Sequence, residues 1–156
     1  MRSITITVSE TVPANIETVY SVIADYQIRH QAILPRPAFQ EMKVLEGGFG
    51  SGTCLHVHVR IWGQSYFYEQ IVEEPIMGRI LIEREINTGQ TTTFTLQALA
   101  GNQTQVTITS VNPLSTGFRG YLERISQPSI IGNLFKKELQ NLIEYVAQNE
   151  FAIQGA

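Results

Sequence analysis

Two histidines and a glutamate are spaced so that they could bind a metal ion. His56 and His58 are one residue apart in an alternating segment, so both would project from the same face of a strand. A hairpin would bring Glu69 opposite His58, giving two imidazoles and one carboxylate. Arg60 would lie on the same face and repel a cation, so we favour an outward polar face with a His58–Glu69 pair and predict no metal. If that face turned inward, the histidines would be acid/base candidates.

Two tyrosines share the opposite face of the same hairpin. Tyr66 and Tyr68 are two positions apart in the strand, on the face that also carries valines and an isoleucine. A buried tyrosine hydroxyl needs a partner, which either other protein groups or a ligand in an apolar pocket can provide. The sequence leaves core packing and ligand contact equally open for this pair.

A third chemical candidate lies in an irregular, proline-bounded segment from Asp25 to Phe39. Segments of this kind often form lids over binding sites. His30 lies within it, together with apolar Ile33 and Leu34. The simpler interpretation is that His30 lies on the surface. The functional interpretation is that it contacts a ligand.

Two other motifs carry no chemistry that we can support. The glycine-rich run at 47–52 lacks the lysine of a phosphate loop and leads into a strand rather than a helix, which argues against nucleotide binding. Cys54 has no base beside it in the sequence, so we expect an inert, buried thiol. We predict no cofactor.

The elements that must position these residues begin with one strand and two short helices. Residues 4–8 alternate apolar and polar side chains, as in a strand with one buried face. Asn15 can cap a helix from about Asn15 to Ala24, and the proline-bounded segment that follows is typical of a short helix and a loop.

Six strands are predicted between residues 39 and 111. We expect Gly63-Gln64 to form a two-residue turn, which would place Val59 opposite Tyr68. A three-residue loop around Gly101 would join the last two strands. In the strand near residue 82 we expect the isoleucines to face the interior and the residues between them to face outward; the two sets are Ile80, Ile82 and Ile86, and Leu81, Glu83 and Glu85.

The C-terminal part has helical spacing. One apolar stripe begins at Phe118, Pro128 interrupts it, and a longer stripe indicates a helix from about Pro128 to Gln148. Four charged residues are expected on the solvated side of that helix: Lys136, Lys137, Glu138 and Glu144.

Composition limits the function classes. The chain has 156 residues, the size of one domain, and we take residues 1–156 as a single domain. Its net charge is −3 and its charged fraction 16%, which argues against nucleic acid as a partner. No apolar run approaches the roughly 20 residues of a membrane span. One cysteine and no apolar signal-peptide segment favour a reducing compartment, and we predict the cytoplasm.

The predicted elements are a strand, two short helices, six strands and a long helix, in that order. This order indicates an α+β domain in which a curved antiparallel sheet of about seven strands wraps around the last helix. This order resembles the helix-grip fold of the START-like (SRPBCC) superfamily. The residues that carry the resemblance are Val12-Pro13-Ala14, the segment 19–26, the glycine-rich run, Gly63, Glu73-Glu74-Pro75 and Glu138-Leu139. The polyketide cyclase/dehydrase-like group is most similar, and coenzyme-Q-binding and birch-pollen-allergen-type proteins are also similar. The resemblance implies a tunnel for a bulky apolar ligand, with the glycine-rich run as a rigid turn near its mouth.

Three functions follow as hypotheses. The first is binding, with or without transport, of a hydrophobic or amphipathic small molecule such as a lipid, quinone or polyketide-like aromatic. The second is a cyclase/dehydratase-like enzyme in which Tyr66, Tyr68 or a histidine assists as acid or base. The third is a dimerising module with a filled core, and a homodimer is compatible with all three. The predicted ligand-binding residues are His30, Leu34, Val57, Val59, Ile61, Tyr66, Tyr68, Phe94, Phe118, Tyr121, Leu122 and Phe135.

Overall fold

A computed structural model describes residues 2–114 and 117–149, with the backbone alone for residues 117–126. The elements in chain order are β1 (Ser3–Val12), α1 (Ile16–Ile23), α2 (Arg29–Ile33), β2 (Phe39–Glu46), β3 (Cys54–Ile61), β4 (Gln64–Ile76), β5 (Ile80–Glu85), β6 (Thr91–Leu99), β7 (Gln103–Pro113) and α3 (Gly117–Gln148). The seven strands form one antiparallel curved sheet in the order β1-β7-β6-β5-β4-β3-β2. The predicted α+β helix-grip architecture is confirmed.

The first helix begins where the sequence places it. Asn15 is the N-cap, and its side-chain oxygen accepts a hydrogen bond of 2.8 Å from the backbone N–H of Thr18. One face of α1 is completely buried, with Val19, Val22 and Ile23 in the core. The helix therefore packs against β6 and β7, and α2 follows it after a short turn.

The turn between β3 and β4 differs from the predicted one. Its two central residues are Trp62 and Gly63, both in the left-handed region with φ of 51° and 77°. Ile61 pairs with Gln64, so Val59 lies opposite Tyr66 and the predicted pairing with Tyr68 is wrong. Only glycine signalled positive φ in the sequence, whereas here a tryptophan adopts it as well.

The error in the register is two residues, and a shift of two leaves every side chain on its predicted face. Val57, Val59 and Tyr68 therefore do face the interior side of the sheet. The cross-strand neighbour of Glu69 is His56, and the predicted His58–Glu69 pair is wrong.

The strand β5 has the opposite orientation to the predicted one. Leu81 pairs with Phe94 of β6, and both are fully buried, so the inward face carries Leu81, Glu83 and Glu85. Ile86 is instead 47% exposed. Hydrophobicity alone favours the isoleucines, but hydrogen bonds to both glutamates make burial of the other face acceptable.

The loop between β6 and β7 has three residues, as predicted. Leu99 pairs with Gln103, and Gly101 and Asn102 take φ of 76° and 54° between them. Phe94 and Ile108 consequently lie on the same buried face.

The helix α3 is longer than predicted. It runs without interruption from Gly117 to Gln148, with Pro128 inside it, so the predicted break at this proline is wrong. A buried stripe that includes Phe135, Leu139 and Leu142 packs α3 into the fold, against β1 and α2. Burial of this stripe outweighs the local cost of the proline. Within the described residues, no helix is both long and apolar enough to cross a membrane.

The glycine-rich run docks against the segment that follows α1. The carbonyl of Gly48 accepts from the N–H of Tyr26 at 2.9 Å, and the N–H of Gly50 donates to the carbonyl of Ala24 at 2.9 Å. The N–H of Ser51 donates to Glu74 Oε1 at 2.8 Å. These three hydrogen bonds hold the run against that segment and against β4.

Candidate functional site

A cavity of about 270 Å³ lies between the curved sheet and α3. Its walls are mostly apolar, with Met42 from β2, Val57 and Val59 from β3, Phe94 from β6 and Phe135 from α3. The glycine-rich run contributes no residue to this lining. A cavity enclosed by apolar walls with a few polar groups is the usual form of a small-molecule site.

Nine of the twelve predicted ligand-binding residues line this cavity: His30, Leu34, Val57, Val59, Ile61, Tyr66, Tyr68, Phe94 and Phe135. The other three, Phe118, Tyr121 and Leu122, lie outside the residues whose side chains are described. Contact with a ligand stays a prediction for all twelve.

A polar cluster is buried at the cavity wall and consists of Tyr26, His30, Glu83 and Glu138. Four separate parts of the chain supply it: the α1–α2 turn, α2, β5 and α3. His30 Nε2 lies 3.4 Å from Glu138 Oε1 and 3.7 Å from Glu83 Oε1. The hydroxyl of Tyr26 donates to Glu83 Oε1 at 3.0 Å. His30, Glu83 and Glu138 line the cavity, so the cluster presents two carboxyl groups and one imidazole to a ligand.

The imidazole of His30 is held in a defined orientation. Its Nδ1 lies 2.6 Å from the carbonyl oxygen of Ile23, and because a carbonyl only accepts, Nδ1 carries a proton. The ring stacks on Tyr26 at 4.5 Å between centroids and meets the edge of Phe94 at 5.6 Å. Nε2 is therefore the nitrogen that faces the two carboxyl groups. An imidazole fixed in this way is suited to accept or donate a proton at Nε2.

Burial and mutual interaction shift the pKa values in this cluster. Burial, and repulsion by Glu138, raise the pKa of Glu83 to about 7, although His30 and Tyr26 act in the opposite direction. Burial alone would lower the pKa of His30, but its two carboxyl neighbours outweigh burial and raise it. Burial, followed by the neighbouring Glu83, raises the pKa of Tyr26 well above its ordinary value. Strong shifts beside a cavity are typical of functional sites.

One carboxylate oxygen of the cluster has no hydrogen-bond partner. Glu138 Oε1 is buried, and within the described residues nothing donates to it; the contact with His30 Nε2 is close but forms no hydrogen bond. Gln127, which lines the cavity from α3, has a side-chain oxygen, Oε1, that is likewise buried without a hydrogen-bond partner among the described residues. Buried polar atoms are usually paired, so both are places where a ligand could supply a donor.

Sequence reasoning misjudged both glutamates of the cluster. The prediction that Glu138 lies on the solvated side of α3 is wrong, since the residue is only 3% exposed. It follows Leu134 by four residues and precedes Leu142 by four, so helical spacing alone already placed it on the apolar stripe. Glu83 is 7% exposed. It is two positions from Leu81 and therefore shares its strand face, but the isoleucines of β5 led us to expect the other face to be buried.

The histidines of β3 lie on the outer face of the sheet. His56 Nε2 is 3.8 Å from Glu69 Oε1, and both side chains are about half exposed. His58 Nε2 lies 2.9 Å from the hydroxyl of Ser65, and its ring stacks on Phe67 at 4.5 Å. In the described part of the chain, no three His, Cys, Asp or Glu side chains are grouped as a metal site. This face is the polar surface that the sequence favoured.

Comparison with known proteins identifies the fold. No family model matches the chain, and no curated protein matches it. Among solved structures, the chain is similar to a KanY protein, with 22% identity over 94% of this chain and 99% of that one, and a TM-score of 0.81. It is similar to a START superfamily protein from Mycobacterium smegmatis, with 19% identity, coverage of 92% and 97%, and a TM-score of 0.70.

A third similar structure is the Zhui aromatase/cyclase from a Streptomyces species. The identity is 15%, the coverage is 95% of this chain and 96% of that one, and the TM-score is 0.75. These likenesses extend over nearly the whole chain. The chain therefore has the START-like helix-grip fold that its sequence resembled.

Proposed function

We propose that this protein binds a hydrophobic or amphipathic small molecule, such as a lipid, a quinone or a polyketide-like aromatic, in the cavity between the sheet and α3. The observation that carries the proposal is the cavity itself, about 270 Å³, with mostly apolar walls and the buried polar cluster among the polar side chains that line it. Burial of apolar ligand surface against such walls drives binding, while the polar groups orient the ligand. The cytoplasm is the compartment we propose for this binding.

Two further points support this proposal over the ligand-free module. A module that serves only for dimerisation would have a filled core, and the cavity counts against it. The fold is also shared with a START superfamily protein and an aromatase/cyclase, and an aromatase/cyclase acts on a small molecule. Fold alone does not determine function, so the cavity remains the main argument.

The direct test is native mass spectrometry of the purified protein beside its denatured mass, with organic extraction of any material lost on denaturation. We expect a discrete apolar adduct. The chain has one tryptophan, Trp62, and it lies at the cavity, so a titration with candidate ligands should also change tryptophan fluorescence. Absence of both an adduct and any fluorescence response to a broad set of lipids, quinones and aromatics would contradict the proposal.

A second candidate function is catalysis in the same cavity, as in a polyketide cyclase or dehydratase. The observation in its favour is the oriented Nε2 of His30 beside Glu83, two groups whose raised pKa values suit proton transfer near neutral pH. Tyr66 and Tyr68 line the cavity as well and are the acid/base candidates that the sequence indicated.

Substitution separates the two functions. If the protein only binds, Tyr66→Phe and Tyr68→Phe should change ligand affinity slightly; His30→Asn also alters the charge beside Glu83 and Glu138, so it is compared through turnover alone. If it catalyses a reaction, one of these changes should reduce turnover of an identified substrate about a thousandfold, within the range of general acid–base contributions. Single-turnover kinetics with each variant, at equal occupancy of the cavity, makes the distinction.

A further inference from the structure

We propose that the ligand of this cavity carries a protonated amine that is seated against Glu83 and Glu138, and that the cavity rejects carboxylic acids. The inference rests on the proposed function, because it assumes that the cavity binds an amphipathic molecule. It adds the chemical class of the polar end of that molecule.

The first argument is the charge of the cavity wall. Glu83 and Glu138 are 7% and 3% exposed, and both line the cavity. Among the described lining residues there is no lysine or arginine, and His30 alone can become cationic. When both carboxyl groups are ionised, the single imidazole can neutralise at most one of them, so at least one negative charge stays uncompensated in a medium of low dielectric constant, where it is costly.

A ligand can change that balance in either direction. An ammonium group would bring the site to neutrality, whereas a carboxylate would add a third negative group close to the first two. A hydroxyl could donate a hydrogen bond but would leave the charge uncompensated. Charge complementarity therefore ranks the amine first, the alcohol second and the acid last.

The second argument is the unpartnered oxygen of Glu138. Oε1 is buried and accepts no hydrogen bond within the described residues, although a carboxyl oxygen is a strong acceptor. The terminal torsion of a glutamate is soft, so a small rotation of the carboxylate can turn this oxygen toward the cavity. An N–H of a ligand ammonium group would then complete its hydrogen bonding.

The experiment uses three probes that share an eight-carbon chain and differ at the polar end: octylamine, octan-1-ol and octanoate. Their affinities are measured by calorimetric titration of the full-length protein at pH 8, where Glu83, with its pKa of about 7, is mostly ionised. We expect octylamine to bind at least tenfold more tightly than octan-1-ol, and octanoate to bind most weakly of the three.

The variant Glu138→Gln keeps the shape and an acceptor oxygen but removes one charge. It should reduce the preference for octylamine over octan-1-ol by about tenfold or more, while octan-1-ol affinity stays within about threefold. Glu144→Gln, on the exposed side of the same helix, is the matched control and should change none of the affinities. If Glu138→Gln does not fold, Glu83→Gln takes its place with the same expectation.

The outcomes distinguish this inference from the proposed function. Octanoate binding as tightly as octylamine, or three equal affinities, would overturn the amine assignment and leave the binding function in place. Retention of the full amine preference in Glu138→Gln and Glu83→Gln would also overturn it. If none of the probes binds and native mass spectrometry shows no adduct, the proposed function itself fails.

Discussion

His30 Nε2 lies 3.4 Å from Glu138 Oε1, a contact that joins α2 to α3 across the wall of the cavity. On its other side the same nitrogen lies 3.7 Å from Glu83 Oε1 of β5. One imidazole therefore connects two carboxyl groups that approach it from different elements. Because the pKa values of His30 and Glu83 are raised in the folded chain, the protonation of these two groups is coupled to the stability of the fold.

We expect stability to fall as the pH rises from 5 to 8, and Glu83→Gln to reduce this fall. The folded-state pKa of Glu83 is about 7 against an ordinary 4.5, so its contribution is complete below about pH 4.5 and is lost as the pH rises through 7. The raised pKa of His30 acts in the same direction: its contribution is complete below pH 6.5 and is lost as the pH rises through the folded-state value. A shift of the size seen for Glu83 corresponds to about 3 kcal/mol.

The measurement is the free energy of unfolding from urea denaturation at pH 5 and at pH 8. Glu41→Gln, at an exposed position of β2, is the control and should keep the wild-type dependence on pH. A Glu83→Gln protein with an unchanged loss of stability between the two pH values would show that Glu83 does not titrate as described.

Val57→Phe should fill the cavity and reduce ligand affinity by at least tenfold. Val57 is buried and faces the cavity from β3, where the added ring can enter space that a ligand would occupy. We expect little change in the melting temperature, because the ring has room that a close-packed core would not provide. Ligand titrations and thermal unfolding, followed side by side, test both expectations.

The matched control for the cavity is His58→Phe, one residue along the same strand on the outer face. It introduces the same side chain outside the cavity and should leave ligand affinity within about threefold of the wild type. Equal losses of affinity in the two variants would argue that the ligand does not occupy the cavity.

Gly50→Ala should be more destabilising than Gly52→Ala. Both glycines have positive φ, 62° and 87°, so each substitution carries the backbone strain of about 1 kcal/mol or more. A Cβ on Gly50 would also clash with Glu74 Oε1, whereas a Cβ on Gly52 meets open space.

To avoid that contact, Glu74 would have to leave the hydrogen bonds it accepts from the N–H of Ser51 and the hydroxyl of Tyr20, at 2.8 Å each. We therefore expect a difference of about 1–3 kcal/mol between the two variants in urea denaturation. Equal stabilities would mean that Glu74 moves without cost.

Trp62→Asn should stabilise the β3–β4 hairpin by about 0.5–1 kcal/mol, since asparagine tolerates positive φ better than tryptophan does. The side chain of Trp62 is 84% exposed, so little packing is lost. Circular dichroism is the appropriate probe, because the variant has no tryptophan to report unfolding. A less stable variant would show that Trp62 contributes packing at the cavity that outweighs its backbone strain.

Element types were predictable from local patterns. Alternation in β1 and the cap at Asn15 each involve residues close together in the chain, and the predicted elements match the observed ones. Five of the nine cavity-lining residues named above followed from the alternation of β3 and β4, whose two-residue register error did not change the faces; the five are Val57, Val59, Ile61, Tyr66 and Tyr68.

The polar cluster could not be predicted from local sequence patterns. Whether Glu83 faces inward depends on partners from Tyr26 and His30, which are more than fifty positions away in the chain. No property of the β5 segment records those partners, so hydrophobicity favoured the isoleucines. Glu138 is different, because its helical spacing from Leu134 and Leu142 already placed it on the buried stripe. The sequence prediction placed it in solvent because its side chain is acidic.

The meeting of four chain segments at one cluster has a consequence for folding kinetics. In the unfolded chain Glu83 has its ordinary acidity, and its pKa of about 7 requires the burial that the assembled sheet and helices provide together. Near neutral pH the carboxyl group therefore takes up a proton as the chain folds. Stopped-flow mixing with a pH indicator would then follow proton uptake and so time the docking of α2 and α3 onto β5.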